Sequence, residues 1–321
     1  MSGRVRIFFA TDIHGSERCF RKFINAAEFY GVDVLILGGD ISGKVVIPIV
    51  EQADHGFKVE FLGETRILKT EEEVERVEEL IRERGYYPYR TSPSELKNLS
   101  VNRERVKRLL TRLVVERVKK WIELAEEHLK NSDVEVYITG GNDDPVEVEE
   151  VLKRSEFVVN PEGEVVKIRG FYEMVSTGYS NPTPWKTPRE VSEEKLAEKI
   201  EDMVSQVENL RNCIFNIHPP PKDSGIDECP MLDTSVTPPK PVIRGGVPLT
   251  FGAGSTAVRS AIEKHQPLLG LHGHIHEARG VVRIGRTLCI NPGSEYESGI
   301  LRGAVIVLED GRIRGYQLTS G

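Results

Sequence analysis

The chain has 321 residues, of which 39% are hydrophobic and 29% are charged, and its net charge is −7 at pH 7. This length supports a sizeable core, and no run of apolar residues approaches the roughly 20 that a membrane span needs. An acidic chain with four scattered cysteines does not favour nucleic-acid or membrane binding over its whole surface, and it indicates a reduced, soluble, cytoplasmic protein.

The chain opens with the pattern of a βαβ unit. Residues 5–10 predict a short apolar strand, residues 16–30 a helix, and residues 33–38 a strand that is buried on both faces. A strand, a helix and a strand in this order indicate a parallel pair. Residues 45–68 then predict an antiparallel excursion.

The excursion turns near residues 54–56 and continues into a helical region. Thr70 followed by Glu73 is the signal of a capping box, and it predicts a helix over about 71–84. Residues 86–93 are predicted to form a loop.

A longer helix is predicted over 102–130, with an apolar stripe along one side. This helix is basic and the helix at 71–84 is acidic, so we expect their charges to hold them side by side as a helical hairpin inserted at about 66–131. The alternative, in which the basic helix binds a polyanionic ligand, is weaker because few aromatic residues interrupt its charges.

The second half of the chain alternates strands and helices. Helices are predicted at 146–153, 192–209 and 255–265, and strands at 134–139, 156–159, 164–169, 171–176, 213–217 and 267–271. The last strands alternate as an antiparallel meander, at 280–284, 287–290, 303–309 and 312–318. The excursion at 45–130 and a long Pro-rich loop at 219–254 are expected to help shape a substrate pocket.

Polar side chains of a restricted set of types follow five of the predicted strands. They are Asp12 and His14; Asp40; Asn142, Asp143 and Asp144; His218; and His272, His274 and His276. In an open α/β sheet the ligand crevice lies at the carboxyl ends of the strands, so these groups have a physical reason to converge. We leave His55, His128 and His265 as ordinary structural histidines.

Carboxylate, imidazole and amide ligands together are typical of a site for Mn, Fe, Co, Zn or Ni. Two such ions would share a carboxylate, and Asp40, directly after two glycines, is well placed for that role. The sequence lacks a G-x-S-x-G elbow, a Walker motif and a dinucleotide-binding G-x-G-x-x-G, and no cysteine stands beside a plausible base.

The pattern D-x-H, G-D, G-N-x-[DE], H and G-H-x-H resembles the calcineurin-like metallophosphoesterase superfamily, and its layout is most similar to the Icc-like phosphoesterases. The resemblance implies a single domain over 1–321 with a four-layer α/β/β/α sandwich of two mixed sheets. It also implies a ligand set for each of two metals: Asp12, His14 and His276 on the first, Asn142, His218 and His274 on the second, and Asp40 as the bridge. Mn is the favoured ion.

The resemblance implies a phosphoester hydrolase, with a phosphodiester as the expected substrate. Two metal ions lower the pKa of a bridging water, so that hydroxide attacks the phosphorus while the ions hold the phosphoryl oxygens. Two alternatives stay open: a metal-dependent nuclease, and an interaction scaffold that binds metal with little catalysis. The identity of the substrate and the oligomeric state are not predicted.

The chain departs from the family at Asp143, where the family usually has a histidine that contacts the phosphoryl oxygen and the leaving group. Asp143 is either a proton-carrying acid, a structural turn residue in an enzyme for substrates with good leaving groups, or the mark of a scaffold. His272 is a candidate for the missing imidazole, with a buried structural role as its alternative. Asp144 is expected to orient a ligand histidine, because metal-bound imidazoles usually donate to a carboxylate.

Overall fold

The computed structural model describes residues 3–53, 56–236 and 239–321, so the predicted turn near 54–56 and His55 lie almost wholly outside the described residues. Within these ranges the chain forms seven α-helices: α1 (Glu17–Tyr30), α2 (Glu71–Glu83), α3 (Pro93–Val101), α4 (Arg103–Leu129), α5 (Val146–Lys153), α6 (Glu193–Val204) and α7 (Thr256–His265). None of them is both long and apolar enough to cross a membrane. The predicted capping box of α2 is present, with Thr70 and Glu73 each accepting from the other's backbone.

The first large sheet is mixed and has six strands. In chain order they are β1 (Val5–Ala10), β2 (Val34–Gly38), β7 (Glu135–Thr139), β8 (Val158–Val159), β21 (Arg302–Glu309) and β22 (Arg312–Ser320). Their order across the sheet is β22-β21-β1-β2-β7-β8. The four strands from β1 to β8 run parallel, so the exits of β1, β2 and β7 meet at one edge.

The second large sheet is also mixed. Its strands are β9 (Val165–Ile168), β10 (Tyr172–Thr177), β11 (Cys213–Ile217), β18 (Leu269–Leu271), β19 (Gly280–Ile284) and β20 (Thr287–Asn291), in the order β19-β20-β18-β11-β10-β9. The predicted final meander is therefore split, because β19 and β20 belong to this sheet and β21 and β22 to the first. An alternating pattern identifies a strand but does not say which of two sheets it joins.

Alternating side chains of the central strands produce the layers. On β1, Ile7 and Phe9 enter a core between the two sheets, whereas Phe8 and Ala10 face the core that α1, α4 and α5 cover. On the other side of the second sheet, Phe215 and the strands beside it pack against α6 and α7. The result is the four-layer α/β/β/α sandwich.

Between β2 and β7 the chain forms a smaller sheet with a core of its own. Its strands are β3 (Val46–Glu51), β4 (Phe57–Phe61), β5 (Glu64–Leu68) and β6 (Tyr87–Thr91), in the order β5-β4-β3-β6. The residues predicted as a loop at 86–93 are thus strand β6 and the start of α3. Pro88 is tolerated because β6 is an edge strand, where a missing backbone donor costs little.

The acidic and basic helices do not form the predicted hairpin. Helix α2 packs on α1, β5 and β6, whereas α4 packs on α1, α3, α5, β6 and β8. Arg90 of β6 lies 2.6 Å from both Glu71 and Glu78 and takes the acidic partners that we expected α4 to attract. A charge pattern predicts whether the residue that pairs with a helix is acidic or basic, but the fold decides which residue is close enough to pair.

The Pro-rich region at 219–254 is folded as an arm of three short antiparallel pairs and is not a plain loop. They are β12 (Glu228–Pro230) with β17 (Thr250–Gly252), β13 (Leu232–Asp233) with β14 (Lys240–Pro241), and β15 (Ile243–Arg244) with β16 (Val247–Pro248). Asp227 anchors the base of the arm by accepting from the backbone nitrogens of Asp223, Ser224 and Gly254. The helix expected to reach about residue 209 ends earlier, at Val204.

Candidate metal centre and its cavity

The strand exits that carry the predicted ligands are locked to one another by backbone hydrogen bonds. The nitrogen of Asp12 donates to the carbonyl of Gly39, and that of His14 to the carbonyl of Asp40, each over 2.9 Å. Positive φ angles occur at four of the predicted ligands: Asp12 (53°), His14 (39°), Asp40 (47°) and His274 (67°). Non-glycine residues seldom adopt this conformation, and its concentration here is typical of a functional site.

Asp12, His14 and His276 form the first group of potential metal ligands. One ligand atom of each lies within 4.8 Å of the others. The Nε2 atoms of His14 and His276 are 3.0 Å apart, and Nε2 of His276 is 3.5 Å from Oδ1 of Asp12. Lone pairs of three side chains therefore converge on one point.

Asp40, His218 and His274 form the second group, again within 4.8 Å. Oδ2 of Asp40 lies 3.5 Å from Nε2 of His218 and 3.8 Å from Nε2 of His14, so that one oxygen stands between the two groups. Oδ1 of Asn142 is 2.7 Å from Nδ1 of His274 and completes this set. The amide of Asn142 is oriented by Thr187, whose hydroxyl accepts from Nδ2 at 2.9 Å.

Burial and the charges of the candidate ligands shift the pKa values of these side chains. Burial lowers the pKa of His218, but the carboxylates of Asp40 and Asp12 outweigh it and raise that pKa to about 10. Burial raises the pKa of Asp12, yet His218 and His276 more than compensate and bring it to about 2. Burial also lowers the pKa of His14 to about 3. The carboxylate of Asp12 is therefore ionised at neutral pH, as metal binding requires.

The residues present fit divalent metal ions. Nε2 of His218, which faces Oδ2 of Asp40, is buried and has no hydrogen-bond partner, and native proteins seldom leave such an atom without one. Nδ1 of His218 lies 3.0 Å from the carbonyl of Gly38, so in the neutral ring that nitrogen donates and Nε2 keeps its lone pair for a ligand. Imidazole, carboxylate and amide donors together suit a borderline divalent ion.

Asp143 lies at the edge of these groups and pairs with Lys44. Its Oδ2 is 3.8 Å from Nδ1 of His14 and forms an ion pair with Nζ of Lys44, and its backbone nitrogen donates to Oδ1 of Asp40 at 2.9 Å. Burial and the charge of Asp40 raise the pKa of Asp143 to about 7, although Lys44 opposes them. The carboxyl can thus carry a proton near neutrality.

Asp144 does not orient a ligand histidine as predicted. It accepts from the backbone nitrogens of Ile41, Ser42 and Gly141 at 2.7–3.0 Å, and also from the Ser42 hydroxyl. The turn after β7 aims this side chain back at the exit of β2. Its observed role is to hold the two exits together.

His272 does not reach the site, so the predicted stand-in for the missing imidazole is wrong. The ring is fully buried, with Nδ1 2.8 Å from the carbonyl of Ile217, and Nε2 lies on the side of Gly270 within the second sheet. His272 and His274 would point the same way on an extended strand, but β18 ends at Leu271 and His274 has a φ of 67°, so the backbone turns and the two rings point in different directions. The structural alternative for His272 holds.

Two other histidines lie away from the site, as expected. His128 has Nδ1 2.9 Å from the carbonyl of Leu124 in its own helix, and His265 has Nε2 2.8 Å from Glu201. Sequence reasoning missed Lys44 and Thr187. Lys44 lies four residues after Asp40 in a loop with no periodic pattern, and Thr187 lies in the loop after β10, so neither carried a local signal.

A cavity of about 850 Å³ opens beside the candidate metal ligands. Asp40, Asn142, His274 and His276 line it. Its other walls come from the loop after β10 and from the arm, and the apolar ones include Pro182, Pro184, Trp185, Pro230, Met231, Leu232 and Phe251. Lys44 and Lys222 are the lysines or arginines among the described residues that line it. The Pro-rich region thus lines this cavity, whereas no described residue of the excursion at 45–130 does.

The chain has two facing mixed sheets between helical layers, with these side chains at the ends of β1, β2, β7, β11 and β18, which is the arrangement that the resemblance to the calcineurin-like metallophosphoesterase superfamily implies. It belongs to one family with the uncharacterized protein MJ1162 of Methanocaldococcus jannaschii, to which it is 31% identical over 195 residues. That stretch covers 60% of this chain and 79% of the relative.

The remaining comparisons concern the fold. No family model matches the sequence. The crystal structure of TT1561 of Thermus thermophilus is 12% identical, covers 99% of this chain and 98% of its own, and has a TM-score of 0.50, which shows a shared fold. YfcE, a phosphoesterase from E. coli, is also 12% identical, with 97% and 98% covered and a TM-score of 0.33.

Proposed function

We propose that the protein is a phosphoester hydrolase that uses two divalent metal ions and acts on phosphodiesters. The observation that carries the proposal is the place of Asp40, whose Oδ2 lies within 3.8 Å of a histidine from each ligand group. A carboxylate in this position can be shared by two ions. When bound, such a pair of ions supplies an activated water and holds phosphoryl oxygens.

Two sets of residues would each hold one of the two ions. Asp12, His14 and His276 would hold the first ion, and Asn142, His218 and His274 the second, with Asp40 between them. Mn is the ion that we favour. The part of the cavity lined by Asp40, Asn142, His274 and His276 would receive the phosphate, and the apolar walls around Trp185 would contact the organic groups of the substrate.

The size and lining of the cavity support a diester with organic groups. A phosphate alone fills a small part of about 850 Å³, and the proline and aromatic walls offer apolar surface to a second ester group. The two lysines in the lining are too few for the row of phosphate contacts that a nucleic acid makes.

The test combines metal analysis with two chromogenic substrates. Purified protein should carry about two divalent ions per chain and hydrolyse bis(4-nitrophenyl) phosphate faster than 4-nitrophenyl phosphate. Asp40→Asn should lose both metal and turnover. Two ions without turnover on either ester would instead support a scaffold, and cleavage of DNA or RNA with a steep salt dependence would support a nuclease.

A further inference from the structure

Lys44 brings a positive charge to the edge of the proposed metal centre. It follows the exit of β2, and 55% of its side chain is exposed, so it reaches the site from the surface. Its Nζ pairs with Oδ2 of Asp143, whose side chain is only 7% exposed. One ligand atom each of Asp143, His14 and Asp40 lies within 4.8 Å of the other two.

The second lysine of the cavity belongs to the arm. Nζ of Lys222 donates to the carbonyl of Gly252 and lies 5.7 Å from the centre of the Phe251 ring. Lys44 is therefore the cavity cation that contacts the residues of the centre, because its partner Asp143 donates to Asp40 from its backbone. A phosphate at the ligand groups would lie beside it.

We propose that Lys44 binds a phosphoryl oxygen of the substrate and that Asp143 positions it, an inference that rests on the proposed function. An ammonium has three donors, and the carboxylate of Asp143 takes part of this capacity and leaves the rest for an anion. The charges of the two side chains cancel when Asp143 is ionised. Lys44 thus explains how a carboxylate can stand beside a phosphoester without repelling it.

The first test measures the affinity of metal-loaded protein for inorganic phosphate by calorimetry. Lys44→Ala should weaken phosphate binding about tenfold, the usual effect of losing one charge-assisted hydrogen bond. Lys44→Arg, which keeps the charge, should bind within a small factor of the wild type. Lys58→Ala is the matched control, because it removes the same charge from an exposed pair with Glu60 and should change nothing.

The second test asks whether Asp143 acts through Lys44. Lys44→Ala should lower kcat/KM on bis(4-nitrophenyl) phosphate about 100-fold, as removal of a donor to a developing charge does. Without Lys44, Asp143 faces the anion alone, so adding Asp143→Ala to Lys44→Ala should restore part of the lost activity. A purely structural role of Lys44 predicts the opposite, a double variant no better than the single one.

The outcomes separate this inference from the proposed function. Lys44→Ala that binds phosphate as tightly as the wild type, or wild type that binds no phosphate, would overturn the role of Lys44. Wild type that binds phosphate through Lys44 and hydrolyses neither ester would overturn the proposed hydrolase and leave the anion site in place.

Discussion

The proposed ligands are held in strained backbone conformations by their neighbours. Left-handed backbone at a non-glycine residue costs about 1 kcal/mol or more, and four of the predicted ligands adopt it. The bonds from Asp12 to Gly39 and from His14 to Asp40 tie two strand exits together and offset this cost. The ligand geometry is therefore set before any ion binds.

Gly141, which follows β7, shows how closely the exits of β7 and β2 pack against each other. A Cβ at this position would stand 2.2 Å from both the backbone nitrogen and Oδ1 of Asp40. We expect Gly141→Ala to displace Asp40, reduce the metal content below two ions per chain and lower activity about 100-fold. Elemental analysis and ester hydrolysis check this. Gly315→Ala, where a Cβ meets open space, is the control, and equal metal content in both variants would contradict the prediction.

Thr187 tests the support of a single ligand. Its hydroxyl accepts from Nδ2 of Asn142 and so turns Oδ1 toward His274. Thr187→Val removes that acceptor at constant volume, and we expect about 10- to 100-fold weaker binding of the second ion, the usual effect of losing a ligand's supporting hydrogen bond. A metal titration measures it. Thr187→Ser should behave as the wild type, and equal affinity in the Val variant would show that Asn142 needs no support.

At the scale of elements, α4 is joined to the loop after His14 by the buried guanidinium of Arg117. Arg117 donates to the carbonyl of Gly15 at 2.7 Å and to that of Tyr86 at 2.8 Å, and its guanidinium lies 3.9 Å from the centre of the Tyr87 ring. The smaller sheet and the loop after His14 are thus connected through a residue that is 6% exposed.

Replacing Arg117 by Met should destabilise the protein by about 2–4 kcal/mol, because two carbonyls lose their donor inside the fold. Urea unfolding of the chelated protein measures this without a contribution from bound metal. Arg112→Met on the exposed side of the same helix is the control, since its partner Glu116 is 3.9 Å away at the surface. Similar midpoints for the two variants would refute the connection.

At the scale of the whole molecule, metal binding and proton release are coupled. His218 has a pKa of about 10 because two carboxylates face it, so at pH 7 in chelated protein it carries a proton that an ion must displace. Metal affinity should therefore rise about tenfold per pH unit between pH 7 and 9. Calorimetry in buffers of different ionisation enthalpy should show the released proton, and an affinity independent of pH would rule out this coupling.

The same shift predicts how stability depends on pH. A histidine whose pKa is raised in the folded state stabilises fully below its unfolded value near 6.5, and that stability is lost as the pH rises through about 10. Chelated protein should thus lose stability from pH 7 to 10, while metal-loaded protein, already without this proton, should lose less.

We propose that residues 1–321 unfold as one domain. Differential scanning calorimetry tests this proposal and also the contribution of bound metal to stability. We expect one transition, which chelation lowers by about 10 °C at pH 7 and by more at pH 9, as loss of a tightly bound ligand does. Two separate transitions would indicate that the small core formed by β3–β5 and α2 melts alone.

Local sequence signals predicted the elements well where one signal dominated. The capping box at Thr70 predicted α2, and the apolar run at 33–38 predicted β2. These signals failed where pairing with another strand decides whether a segment becomes a strand and which sheet it joins. Tyr87–Thr91 becomes a strand only because β3 pairs with it, although Pro88 argues against one. Which sheet receives β21 likewise depends on its pairing with β1.

Sequence alone determined the chemistry of the site, because residue type and position at a strand exit are local properties and parallel strands bring their exits together. Residue type and strand position marked ten side chains, and the resemblance selected seven of them as metal ligands: Asp12, His14, Asp40, Asn142, His218, His274 and His276. The fold brings these seven together. Only the tertiary structure decided the partners of Asp143 and Asp144 and the direction of His272. The neighbours of these side chains come from other segments of the chain: Lys44 contacts Asp143, Ser42 contacts Asp144, and Ile217 contacts His272. No local sequence pattern predicts such contacts.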